Sequence, residues 1–398
     1  MENLLVNKVA AVKEVRQAAE YQKKKQACIL TGLAGSSKPV FFAAADKLLG
    51  GKGSMAFITA SREEIRTYRR ELNYLYPDLP MQELYPVSLP RVQADTQSLE
   101  LQAGRAAALR FLSGEERGIV FITAEALQQK QLRPSGMSGK ALQLAVGEEH
   151  EQRNIAAALL DLGYERTEQV DALGQFCLRG DILDVYPINS SAAVRIEWFD
   201  NELDAMRSFD VDTQRSLQTL TSIKIAPLKV DESFSYDADI FEYCAADTMV
   251  VVDEPVHVFS MLEKLDKENK EHASELFGKQ ELIEQLAANA AVLVSALGHS
   301  YLQQLPSLNI PVRAVAPYNK NTNLLVEDLQ NWLAEGITPL IMLSGSIKAR
   351  GFADNLRNYG LKGHFAQKSF EAGVINVTYG DLDHGFRFWD EEWLLLTE

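Results

Sequence analysis

Short apolar runs recur along this chain, each bounded by turn residues and followed by a stretch of helical period. Ala27-Cys28-Ile29-Leu30-Thr31 predicts a buried strand, and residues 39–49 a helix that Gly50-Gly51 ends. Residues 54–59 (SMAFIT) predict a second strand, and Ser61 is placed to cap a helix over 62–74. A short extended piece is expected at 82–86, a helix at about 95–112, and a strand at 119–123 with its own following helix. Continuous apolar strands alternating with helices are the pattern of a parallel sheet covered on both faces. Residues 1–130 therefore read as an α/β layer.

The pattern changes at 133–139 (RPSGMSG), which is rich in turn residues. A helix over 148–162 ends at Gly163. Short strands follow at 164–170, 174–179, 182–186, 193–199 and 202–210. This predicts a strand-rich α+β module with antiparallel pairing. From about 216 the α/β character returns, with a buried strand at 248–252 and helices at 256–267 and 279–288. Pro311 to Pro317 reads as a boundary. Beyond it a smaller α/β unit is expected, with helices at 323–335 and 346–358 and strands at 338–344, 373–378 and 393–397.

A chain of 398 residues is too long for one ordinary core, and 46% hydrophobic with 24% charged residues is a globular composition. The net charge of −15 argues against a chain that grips DNA by itself, because neutralising phosphates supplies most non-specific affinity. It favours a protein partner. Lys23-Lys24-Lys25 and Arg66, Arg69 and Arg70 are local exceptions, either solvated helix faces or nucleic-acid contacts. Cys28, Cys177 and Cys244 have no zinc spacing, so no metal is expected, and they fit a reducing, cytoplasmic setting. No apolar run is long enough to span a membrane, and the N-terminus is not a signal peptide.

The segment Gly32-Leu33-Ala34-Gly35-Ser36-Ser37-Lys38-Pro39 is laid out as a phosphate-binding loop between strand and helix. The first glycine and Lys38 fit. Ser37 stands where a second glycine lets the backbone approach phosphate, and Pro39 stands where a hydroxyl would ligate Mg²⁺. Proline remains well suited to starting a helix. The loop thus keeps its structural role and loses its chemical one, and no nucleotide cofactor is expected. Val250-Val251-Val252-Asp253-Glu254 has the form of a strand ending in a metal-binding Asp and a catalytic Glu. Asp253 could equally cap the helix expected near Pro255.

The most distinctive text is residues 163–217. Its elements are Gly163-Tyr164-x-Arg166, Gly174-x-Phe176-x-x-Arg179-Gly180, Ile182-Leu183-Asp184-x-x-Pro187, Arg195-x-Glu197-x-Phe199 and Ser208-Phe209-Asp210. In this order they resemble UvrB of bacterial nucleotide excision repair, and more closely the UvrB-homology module of the transcription-repair coupling factors. The resemblance implies an α/β multidomain chain. Residues 1–130 and 216–312 would be the two parts of a degenerate P-loop, RecA-like helicase domain. Residues 131–215 would be an inserted strand-rich domain, and residues 313–398 a smaller α/β domain with Gly380, Gly385 and Phe386 in its signature.

The long aromatic hairpin of UvrB has no counterpart, since the segment between Leu84 and Asp95 holds one aromatic, Tyr85. The resemblance further implies UvrA as partner. Arg166, Phe176 and Arg179 would be its contacts, with Arg195 and Glu197 beside them. Arginines and aromatics are the residues that dominate interface hot spots. Arg166 and Arg195 could instead pair with Glu165, Glu168 or Glu197, and Phe176 could be core. UvrB has a further arginine where this chain has Cys177. RNA polymerase and double-stranded DNA would be engaged by an ATP-driven translocase region further along a longer protein, where another domain could also mask the UvrA-binding surface. The alternative is a weak ATPase or helicase core.

Overall fold

The computed structural model describes residues 3–89, 99–134, 141–228, 236–296, 304–316, 318, 321–367 and 369–398. Parts of the expected turn-rich stretch 133–139, of the segment between Leu84 and Asp95, of the helix at 95–112 and of the boundary at 311–317 lie outside the described residues. The chain divides into two compact units. One comprises the chain up to Met81, Asp247–Glu263 and Gln280–Glu398; the other comprises Gln82–Ala246 and Lys264–Lys279.

The first unit holds a set of parallel strands in the order Ser307–Asn309, Cys28–Thr31, Val292–Ser295, Met249–Asp253 and Met55–Thr59. Every residue of the last three is buried. This is why the sequences VLVS, MVVVD and MAFIT read as unbroken apolar runs rather than as alternations. The helix Ser37–Leu48 follows the first strand in the chain and buries Phe41 and Phe42, with Phe42 edge-on to Phe57 of the sheet. The helix Arg62–Leu75 begins as its sequence foretells, with the Glu64 carboxylate accepting from the backbone N–H of Ala60 and Ser61.

A second sheet in the same unit runs in the order Val312–Val315, Gly385–Phe388, Trp393–Thr397, Thr338–Leu343, Ile375–Tyr379, Gly363–Phe365. Its last three neighbour pairs are parallel and its first two antiparallel. Leu329, Ile341, Ala349, Ile375 and Leu394 form the heart of its own core.

The second unit contains the strand-rich module. Six strands lie in the order Ser216–Leu220, Glu202–Phe209, Ala193–Phe199, Ile182–Val185, Gln175–Arg179, Glu165–Arg166. All pairs are antiparallel except the last. The sheet continues past residue 215, where the sequence suggests a boundary, because Ser216–Leu220 pairs with Glu202–Phe209. Ser222–Ile225 pairs in turn with Leu142–Ala145, so residues 142–225 close on themselves. The expected strand at 164–170 shortens to Glu165–Arg166. One face of the sheet, with the helix Gln152–Asp161, encloses Phe176, Leu183, Ile196, Trp198 and Met206. Tyr164 ties the module together: its buried hydroxyl donates to the Ala226 carbonyl at 2.9 Å and accepts from the Ile188 N–H at 3.2 Å.

Candidate functional site

Alternation along the strands sends successive side chains to opposite faces of the six-stranded sheet. Pairing in register then sets the outward face in rows. One row runs Cys177, Asp184, Arg195, Arg207, and the next runs Arg179, Ile182, Glu197, Ala205. Arginines directly opposite each other repel, and here each of Arg195 and Arg207 is matched with a carboxylate. Arg195 grips Asp184 with two bonds of 2.6 and 2.7 Å, reaches Gln214 at 3.1 Å, and lies over the Phe209 ring at 4.7 Å. Its guanidinium pKa is raised, first by the hydrogen bond to Asp184 and against the effect of burial. Arg207 bonds Glu197 at 2.6 Å. Arg179 stands at the strand end, 3.5 Å from Asp184, with its side chain 57% exposed. The next residue, Gly180, turns the chain with φ +57 and leaves open space around itself.

This geometry sorts the residues that the sequence pointed to. Arg179, Arg195 and Glu197 share one face. Arg195 is committed to Asp184, whose side chain is only 3% exposed, so its main work is structural. Glu197 is matched to Arg207, not to Arg195. Phe176 is corrected from contact to core: it is fully buried, because alternation turns it away from the face that carries Arg179. Arg166 is exposed, but it pairs in register with Phe176 on the edge strand and so belongs to the opposite face from Arg179.

Exposed apolar groups of the arginine face include Ile182 and, two residues beyond Glu197, Phe199, which is 73% exposed. Sequence reasoning missed Phe199 and Arg207 as site residues. The two-residue period from Arg195 finds the first, and the hairpin register finds the second.

The turn between Cys28–Thr31 and Ser37–Leu48 has a different character. Gly32 has φ +87, and a Cβ there would lie 2.4 Å from the Ile310 carbonyl oxygen. Gly35 has φ +52 and faces the His384 side chain. The backbone between them bonds to itself. Ala34 N–H donates to Ser37 Oγ at 3.0 Å, Ser37 N–H to the Ala34 carbonyl at 3.2 Å, and Lys38 N–H to the Gly35 carbonyl at 3.1 Å. Pro39 sits in the first helical turn, where its missing N–H costs nothing.

Lys38 donates to Asp253 at 2.7 Å and to Glu254 at 2.9 Å. Burial pulls its pKa down, yet the two carboxylates outweigh burial and hold it above the ordinary lysine value. Glu254 has φ 43, an unusual conformation for a residue with a Cβ. It is held by its own N–H on the Val294 carbonyl and by its carboxylate on the Ala296 N–H. Among the described residues no cluster of His, Cys, Asp and Glu is arranged to hold a metal, and no helix is long and apolar enough to cross a membrane.

Comparison with known proteins agrees with this picture of the strand-rich module. The family model of the UvrB interaction domain matches residues 142–230, which take in the span 142–225 that closes on itself in the fold. The transcription-repair-coupling factor of Bacillus subtilis (strain 168) is 24% identical over 437 residues, covering 90% of this chain. That of Staphylococcus haemolyticus is 32% identical over 202 residues, half of this chain, and that of Escherichia coli (strain K12) 28% over 165 residues, 42% of it. The matched stretch spans 37% of the Bacillus protein, 17% of the Staphylococcus protein and 14% of the Escherichia protein. With a UvrB interaction domain matched at residues 142–230 and a likeness that runs along nine-tenths of its length, the chain is similar to the transcription-repair-coupling factors.

Proposed function

We propose that this chain is a recruiting module, which offers the outward face of its six-stranded sheet to UvrA and so brings excision repair to damage that stalls transcription. The observation that carries the proposal is the outward face itself. An exposed arginine, Arg179, stands beside exposed Ile182 on a rigid sheet, and Phe199 is exposed on the same face. Rigid aromatic and guanidinium groups at the centre of a patch are the usual anchors of protein interfaces. The salt bridges Arg195–Asp184 and Arg207–Glu197 fix the charge pattern of the patch. In a longer protein another domain can cover this face and hold recruitment in check.

We further take residues 1–130 and 216–312 as two parts of one RecA-like domain whose phosphate loop has decayed, with residues 131–215 inserted and residues 313–398 following. Five parallel strands support this, with the turn at 32–38 leaving the carboxyl end of an internal strand, where such sheets bind ligands. Lys38 and the backbone N–H groups of Ala34, Ser37 and Lys38 are all engaged within the chain, and Pro39 has no side-chain hydroxyl for Mg²⁺. The chain on this reading turns over no ATP and needs no cofactor. ATP-driven translocation, RNA polymerase and double-stranded DNA belong to other regions of the longer family proteins.

Capture by purified UvrA tests the proposal. The unaltered chain is retained, and the Arg179→Glu chain, with the charge reversed at the exposed strand end, is lost. Equal retention of the two would overturn it.

A further inference from the structure

The edge of the second sheet in the first unit repeats a pattern met on the interaction module, with one part missing. In the module Arg195 stands directly opposite Arg207 across a strand pair, and each has its own carboxylate. In the second sheet Arg313 stands directly opposite Arg387, because Val312–Val315 pairs antiparallel with Gly385–Phe388. Here no carboxylate of the described residues answers. Arg313 is exposed, and among those residues it has neither a hydrogen bond nor an ion pair. Arg387 is half-buried and donates from Nε to the Glu391 carbonyl at 3.4 Å, again without an ion pair. Like charges directly opposite on one face of a sheet destabilise it. A guanidinium presents its donors in a planar fork that fits a carboxylate bidentately.

Alternation settles which groups share this face. Phe386 and Phe388 are buried with Trp393, so Arg387 between them points to the opposite side. The pairing runs one residue beyond the strand, where Trp389 N–H donates to the Pro311 carbonyl at 2.9 Å. Trp389 therefore falls on the face of Arg387, and it is 58% exposed. Val315, two residues along from Arg313, packs against the sheet's core, so this face is covered at Val315 and open at Arg313. Val312–Val315 is also the outermost strand of its sheet, an edge to which an extended segment can add. A strand laid there puts alternate side chains on the arginine face, and a carboxylate opposite Arg313 meets the missing charge. Tryptophan and arginine are the residues enriched at the centres of binding energy. Nucleic acid fits this corner less well. Asp390, Glu391 and Glu392 follow Trp389 directly, and the chain's net charge of −15 opposes a run of phosphates.

We propose that Arg313, Arg387 and Trp389 form a second docking surface, on which an extended acidic segment of a partner protein adds as a strand along Val312–Val315. The segment supplies the carboxylate that the arginine pair lacks. The inference is independent of UvrA binding at the interaction module.

Fluorescence anisotropy of the full chain tests it, with a short labelled peptide that alternates glutamate with threonine. The peptide should bind, and its counterpart with glutamine in place of glutamate should not. Trp389→Ser should weaken binding, and Arg313→Ala with Arg387→Ala together should weaken it about ten-fold or more. Arg313→Glu sets a carboxylate opposite Arg387, so it should abolish binding and raise the denaturant midpoint above that of Arg313→Ala. No binding of the acidic peptide, equal binding of the glutamine peptide, or binding undiminished in the double variant would overturn the proposal. So would an Arg313→Glu midpoint below that of Arg313→Ala, which would show that the two side chains do not meet. Preferential binding of a labelled single-stranded oligonucleotide, lost with the same arginines, would overturn it too, by making the corner a nucleic-acid contact.

Discussion

Phe176 and Arg179 lie three residues apart and have opposite fates. Alternation puts the ring into the core and the guanidinium on the surface. Phe176→Ala should therefore lower stability by about 3–5 kcal/mol, the usual cost of truncating a buried aromatic. A denaturant midpoint measures this loss, and the affinity of the folded fraction for UvrA should stay unchanged. Glu71 makes a second residue-scale prediction. Burial pushes its carboxyl above the ordinary value, although the Ser36 hydrogen bond and the charges of Arg70 and His384 pull the other way and Asp381 adds to the rise.

A carboxyl whose folded pKa is raised holds its proton more tightly in the folded state, so its contribution is fully present below the unfolded pKa and falls as pH rises through the folded value. Asp383 faces the Glu71 carboxylate through its backbone N–H, and its side chain is paired to Arg70. The stability difference between the unaltered chain and Glu71→Gln, followed by urea titration from about pH 4 upward, should therefore shift against the unaltered chain as pH rises. A difference that does not vary with pH would show that Glu71 titrates like an exposed carboxylate.

At the scale of elements, the parallel strands were legible because burial on both faces leaves an unbroken apolar run, as in Val250–Val252. The strands of the interaction module were legible from their alternation, and from it Phe199 follows as an outward position. The strand Ser216–Leu220 was not, because it is an exposed edge whose sequence SLQTL carries no apolar period. The contact of Ser36 and Glu71 with the turn before Gly385 was invisible for another reason. Its partners are more than 300 residues apart and two of its donors are backbone N–H groups, which every sequence contains. The loop at 32–38 was read as a helix start that keeps its lysine, but the pairing of Lys38 with both Asp253 and Glu254 needed the fold. That pairing gives Lys38 a structural task. Removing it leaves two partly buried carboxylates uncompensated, so Lys38→Met should cost about 3 kcal/mol. Calorimetric titration of the unaltered chain with Mg-ATP should show no micromolar binding, and binding that Lys38→Met abolishes would contradict the decayed-loop account.

At the scale of the whole molecule, a net charge of −15 argues against a chain that grips DNA by itself. The few phosphate contacts such a surface can make are readily displaced by salt, so duplex DNA should bind weakly, with an affinity that falls steeply as salt rises. Fluorescence anisotropy with a labelled duplex follows this directly, and tight, salt-insensitive binding would contradict the use made of the charge. The proposed protein partner fits better, because residues 142–225 close on themselves and one face of their sheet carries exposed Arg179, Ile182 and Phe199. Titration of purified UvrA into the chain by calorimetry tests that claim most directly. The account predicts binding that Arg179→Ala weakens by roughly 2 kcal/mol, about thirty-fold, or more. Unchanged affinity in a chain carrying Arg179→Ala, Phe199→Ser and Arg207→Ala together would contradict it.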